Sequence, residues 1–144
     1  MLRLSKLTDY AVVILVHLSS HEGVQTSTGI AAAIGIPEPT VAKVLKILAV
    51  ADLVTSQRGA KGGYRLSRSL GDISISKVIE AVDGPIALTA CIEGFPMECD
   101  AQGVCPVRGR WNAVNAAVKN AISAITLSDM GALKMSAERH TAAE

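Results

Sequence analysis

Residues 37–67 read "PEPTVAKVLKILAVADLVTSQRGAKGGYRLS", and this stretch decides the fold. Its first half carries Val41, Val44, Leu45 and Leu48 at helical spacing. Pro39 falls in the first turn of that helix, where a missing N–H costs nothing. Thr40, Lys43 and Lys46 lie off the apolar stripe. The second half changes period. "LVTSQ" and "GYRLS" alternate apolar and polar residues around "RGAKG". That is the pattern of a two-stranded hairpin with a cationic, glycine-bearing tip.

Upstream, Leu7, Ala11, Ile14, Leu15 and Leu18 predict a helix over 5–20 with Ser5 as N-cap. A short second helix, "STGIAAAIG", takes Thr26 or Ser27 as its cap and stops at Gly35. Helix, short helix, turn, third helix and basic hairpin is the order of a winged helix-turn-helix. The fold class expected is therefore mainly α with a two-stranded β wing. In this arrangement the third helix enters the major groove, where base pairs can be told apart. Thr40, Lys43 and Lys46 become candidate DNA contacts, with a solvated helix face as the plainer account of the lysines. In the wing, Arg58 suits a narrow, electronegative minor groove, and Lys61 suits phosphate.

Downstream, Ser74 caps a fourth helix, "ISKVIEAVDG", closed by Gly84. "CIEGFPMECDAQGVC", residues 91–105, follows and holds all three cysteines of the chain. Next, "PVRGRWNAVNAAVKNAISAI" predicts a long C-terminal helix over 106–125, beginning at Pro106 directly after Cys105. Its N-terminal N–H groups would then favour an anionic group at Cys105. Trp111, Val114, Val118, Ala121 and Ile125 step along it by three and four. Such a seam serves a partner helix, as in a dimer, or the chain's own core. The organisation expected is a DNA-binding domain over 1–84, a cysteine loop over 85–105, a dimerisation helix and short segment over 106–130, and a polar, disordered tail over 131–144.

The chain has 144 residues and a net charge of +1. Residues 1–70 hold eight Lys and Arg against four acids, and residues 71–144 hold six against nine. A basic first half suits DNA. No apolar run is long enough to cross a membrane. Asp9 lies inside the apolar start, and no small-residue cleavage site follows, so a secretory signal is not expected. The reading is cytoplasmic.

In a reducing cytoplasm three clustered cysteines point to metal or redox chemistry before structural disulfides. Their spacing, with seven residues and then five between them, is neither the paired knuckle of structural zinc sites nor the ferredoxin run. Thiols in a polar, acidic loop are not core residues. Cys91, Cys99 and Cys105 are therefore candidate ligands. A thiol enzyme would need a base beside a cysteine of lowered pKa, and no histidine lies near the loop in sequence. An enzyme, and with it a small-molecule substrate, is not expected.

Four separated motifs carry a resemblance. "LRLSKLTDYAV", "RGAKGGYRL", "ISKVIEAVDGP" and three cysteines just ahead of a Trp-bearing helix resemble, in order, the winged-helix iron–sulfur regulators typified by IscR, NsrR and RirA. "PEPTVAKVLKIL" and "GPIALTAC…CPVRGRW" are most similar to the subgroup that controls SUF iron–sulfur assembly. The resemblance covers about residues 1–130. It implies a homodimer on the long helix, promoter DNA as partner, and an iron–sulfur cofactor on Cys91, Cys99 and Cys105. It leaves [2Fe-2S] and [4Fe-4S] both open. It also matches Arg58 to the family's wing arginine. Two positions depart from the IscR type. Arg108 stands where that type has a histidine ligand, and Ala42 where it has a base-reading glutamate. The NsrR type takes its fourth ligand from a first-helix aspartate of the other subunit. The matching residue is Asp9, whose alternative role is a first-turn carboxylate favoured by the helix dipole. Glu93, Glu98 and Asp100 compete for the same position.

Overall fold

The computed structural model describes residues 2–95 and 98–131. The expected tail lies almost wholly outside these residues. Five α-helices and one hairpin follow in chain order: α1 (Lys6–Ser19), α2 (Ser27–Ile34), α3 (Glu38–Val50), β1 (Val54–Gln57), β2 (Gly63–Leu66), α4 (Ile75–Asp83) and α5 (Trp111–Ser123). A 3-10 turn, Leu70–Asp72, joins the hairpin to α4. The fold is the winged helix-turn-helix expected from the sequence. No helix among the described residues is long and apolar enough to cross a membrane.

The caps explain the boundaries. Ser5 Oγ accepts from Thr8 N, Thr26 Oγ1 from Gly29 N, and Ser74 Oγ from Lys77 N. Each supplies one partner for the first-turn N–H groups that a helix cannot satisfy itself. Gly35 ends α2 in the left-handed conformation at φ 72°, which glycine adopts at little cost.

One core joins the DNA-binding elements. Ile14, Leu15, Ile30, Val41, Val44, Leu45 and Leu48 pack from α1, α2 and α3, with Ile73, Val54 and Val78 closing the sides. The stripe read on α3 is wholly buried. The hairpin is antiparallel, with Val54 opposite Leu66 and Gln57 opposite Gly63. Gln25 adds a bridge to Tyr64 through two backbone hydrogen bonds of 2.8 Å. This bridge ties the wing to the loop before α2. A Cβ on Gly63 would lie 2.6 Å from the carbonyl oxygen of Gln25, so that approach requires glycine.

α5 differs from the sequence reading. It begins at Trp111, not at Pro106. Residues 106–110 form turns, in which Arg108 N bonds back to Cys105 O at 3.3 Å and Arg110 N to Val107 O at 3.0 Å. Gly109, at φ 73°, breaks any helix that Pro106 starts. No free helix N-terminus therefore stands at Cys105, and the electrostatic argument for an anion there falls.

After α5 the chain returns to the core. Ile75 N donates to Ile125 O and Leu127 N to Ile73 O, both at 2.9 Å. Leu127 is fully buried beside Ile73. A serine chain reinforces this junction, with Ser123 Oγ donating to Ser76 Oγ at 2.9 Å and Ser74 Oγ 2.9 Å from Ser76 Oγ.

Candidate DNA interface and metal centre

Burial of Val41, Val44, Leu45 and Leu48 fixes the rotation of α3. Lys43 and Lys46 are thereby turned outward and exposed, and Thr40 sits half-buried near the helix start. The helix is braced from below: Ser27 Oγ, on α2, donates to Glu38 Oε1 at 2.8 Å. Arg58 and Lys61 occupy the exposed tip between β1 and β2. Among the described residues the ion pairs are Arg68 with Asp52 and Lys119 with Glu80. Among the described residues Lys43, Lys46, Arg58 and Lys61 have no acidic partner, which leaves their charge available to phosphate. Sequence reading missed Arg65. It is exposed on β2 opposite Thr55, and the alternation of "GYRLS" already placed it on the outer face.

The cysteine loop joins Gly84 to the start of α5, and its described residues form turns and bends with no helix or strand. Cys91, Cys99 and Cys105 are all free and half-buried. Cys91 Sγ lies 3.1 Å from Thr89 Oγ1. As donors, three accessible thiols fit an iron–sulfur cluster, whose irons are commonly thiolate-bound. In this conformation they are not assembled: among the described residues no group of three or more His, Cys, Asp or Glu is placed to hold a metal ion. Asp9 is exposed on the first turn of α1, and among the described residues no side chain bonds its carboxylate. His17 and His21 stack at the far end of α1, with ring centroids 4.3 Å apart, well separated in sequence from the loop.

Two contacts that sequence reading missed connect these parts. Asp83, the last residue of α4, receives Thr8 Oγ1 at 2.8 Å and Ser5 N at 3.2 Å. Burial disfavours the charged carboxylate, but the hydrogen bonds from Ser5 and Thr8 outweigh it and hold Asp83 below its ordinary pKa. The root of the cysteine loop is thus joined to the turn that carries Asp9. On the other side, Asn115 and Asn112 of α5 bond the loop backbone around Cys91.

A model of the Rrf2 family, described as an iron-dependent transcriptional regulator, matches residues 4–132. The chain belongs to the Rrf2 family. This Rrf2 protein is a winged-helix, DNA-binding transcriptional regulator and not an enzyme. It is 30% identical over 131 residues to the HTH-type transcriptional regulator IscR of Photobacterium profundum, covering 90% of this chain and 75% of that one. It is 27% identical over 131 residues to NsrR of Geobacillus kaustophilus, covering 90% and 89%. Among solved structures it is similar to CymR, the global cysteine regulator of B. subtilis, with a TM-score of 0.70, 29% identity, and 92% and 98% of the two chains covered.

Proposed function

We propose that this Rrf2 regulator is a cytoplasmic homodimer that binds operator DNA under control of an iron–sulfur cluster. Cys91, Cys99 and Cys105 hold the cluster. Asp9 of the partner subunit is the fourth ligand. The regulator represses iron–sulfur assembly genes of the SUF type when clusters are plentiful.

The observation that carries this reading is the placement of three free, half-buried thiols on one irregular loop between α4 and α5. α4 packs on the DNA-binding core, and α5 presents an apolar face to solvent. A change in the loop therefore reaches both the DNA-binding and the dimer-forming parts. Asp9 supports the fourth-ligand assignment because its carboxylate is exposed and has no side-chain partner among the described residues. A carboxylate is a harder ligand than thiolate and leaves iron more readily, which suits a sensor. In this reading the full ligand set spans the dimer. Arg58, Lys61, Lys43, Lys46 and Thr40 contact the DNA.

The test is anaerobic purification followed by iron, sulfide and visible-absorbance measurement. Bound iron with acid-labile sulfide supports the reading. A colourless protein that cannot be reconstituted overturns it. A second reading keeps the DNA module and makes the cysteines a zinc or thiol-redox site. The unassembled cysteines favour it, since separate thiols suit oxidation as well as ligation. Stoichiometric zinc without sulfide selects the zinc version, because zinc has no redox chemistry of its own.

A further inference from the structure

α5 buries a single side chain, and that side chain is polar. Asn115 is 7% exposed. Its Nδ2 donates to Ile86 O and its Oδ1 accepts from Leu88 N, both at 2.9 Å. One turn earlier, Asn112 Oδ1 accepts from Glu93 N at 3.1 Å. Residues three apart share a helix face, so the two amides act together and grip the loop backbone on both sides of Cys91. Asn115 binds the segment as a neighbouring strand would, through one donor and one acceptor. Both polar atoms of the Asn115 side chain are thereby paired.

The rest of the loop is held differently. Among the described residues, the hydrogen bonds of 98–110 are local: Gln102 N to Cys99 O, Val104 N to Ala101 O, Arg108 N to Cys105 O, Arg110 N to Val107 O, and Asn112 N to Gly109 O. Apart from the last, which belongs to the first turn of α5, none reaches another element. Segments with only local, exposed bonds open at low cost.

We infer that Asn115, assisted by Asn112, is a positioning residue that docks Cys91 on α5, giving the cysteine loop one fixed arm and one moving arm. Rested on the cluster reading, Cys91 would be the ligand already in place on α5, and Cys99 and Cys105 the ligands that move to complete the set. Residues that orient ligands without touching the metal commonly govern its retention.

The test uses Asn115→Asp in the full chain, with Asn112→Asp as a milder second variant. Asn115→Asp keeps the acceptor for Leu88 N but sets an oxygen against Ile86 O. The apo protein is alkylated with iodoacetamide, and each cysteine is followed by peptide mass spectrometry. Cys91 should react several-fold faster in the variant, with Cys99 and Cys105 unchanged. The reconstituted protein is then exposed to air, and cluster absorbance should decay faster by on the order of tenfold. Far-ultraviolet circular dichroism should match the parent. Unchanged Cys91 reactivity overturns the docking role, and so does an equal rise at all three cysteines. Selective Cys91 reactivity with unchanged decay overturns the control of cluster retention. If the parent binds no iron or sulfide, the cluster reading fails, and the alkylation arm alone decides the docking role.

Discussion

Lys61 and Arg58 share the wing tip but serve different purposes. Lys61 is a point charge without an acidic partner among the described residues, so Lys61→Ala should weaken binding to all DNA sequences alike. It should also reduce the slope of log affinity against log salt by about 1. Arg58→Ala should weaken operator binding with little change in thermal stability, because Arg58 is exposed and packs on nothing in the core. Both follow from titrations at several salt concentrations, and equal affinity at matched salt would remove the residue from the interface. Asp9→Ala should leave dimer formation intact and shorten cluster lifetime in air, measured from visible absorbance. An unchanged spectrum and lifetime would assign the fourth ligand elsewhere. The cationic residues were legible in the sequence because a buried stripe at 3.6-residue spacing dictates what faces out. Gly59 and Gly62 were read as turn residues at the tip, and Gly63 as the first residue of the second strand. Gly63 is required by the chain's own approach to Gln25, a pairing between distant residues that no local pattern reveals.

At the scale of elements, the junction between α4 and α1 depends on charge. The folded pKa of Asp83 lies below its ordinary value. Its contribution is therefore present above the unfolded carboxylate pKa, near 4, and is lost as pH falls through the lower folded value. Asp83→Asn should lower the unfolding temperature at pH 7, and the gap to the parent should close in acid. A constant gap between pH 7 and pH 3 would show that the carboxylate charge is not what matters. Solvent exposure keeps this effect small. Packing effects are larger. Leu127→Ala should cost about 2–5 kcal/mol in denaturant unfolding, because it empties a fully buried site where the chain after α5 rejoins the core. The limits of α1, α2 and α4 were legible because Ser5, Thr26, Ser74, Gly35 and Gly84 are local signals that the fold obeys. The start of α5 was misread because Pro106 is a start signal too. Gly109, three residues on, was the contrary signal. The pairing of 73–75 with 125–127 is tertiary and leaves no periodic trace.

For the whole molecule, the apolar face of α5 is the unfinished part. Trp111, Val114 and Ile125 are 41%, 46% and 46% exposed, on a segment whose only buried helical residue is Asn115. Between the two roles left open for the seam, this exposure favours a second copy of the chain. Val114→Asp should convert a dimer to a monomer in light-scattering measurements at micromolar concentration, and an unchanged mass would place the interface elsewhere. The fold was legible at this scale because four helices and a hairpin each bore their own pattern. The cysteine site was legible only as a set of residues, since no local pattern says how three thiols on an irregular segment are brought together. The most direct test of the account is one sample, purified without oxygen, assayed for iron and acid-labile sulfide and titrated with operator DNA before and after cluster removal. The account predicts iron and sulfide together, with a DNA affinity that changes on their removal. Iron-free protein that resists reconstitution, or an affinity indifferent to the cluster, would contradict it.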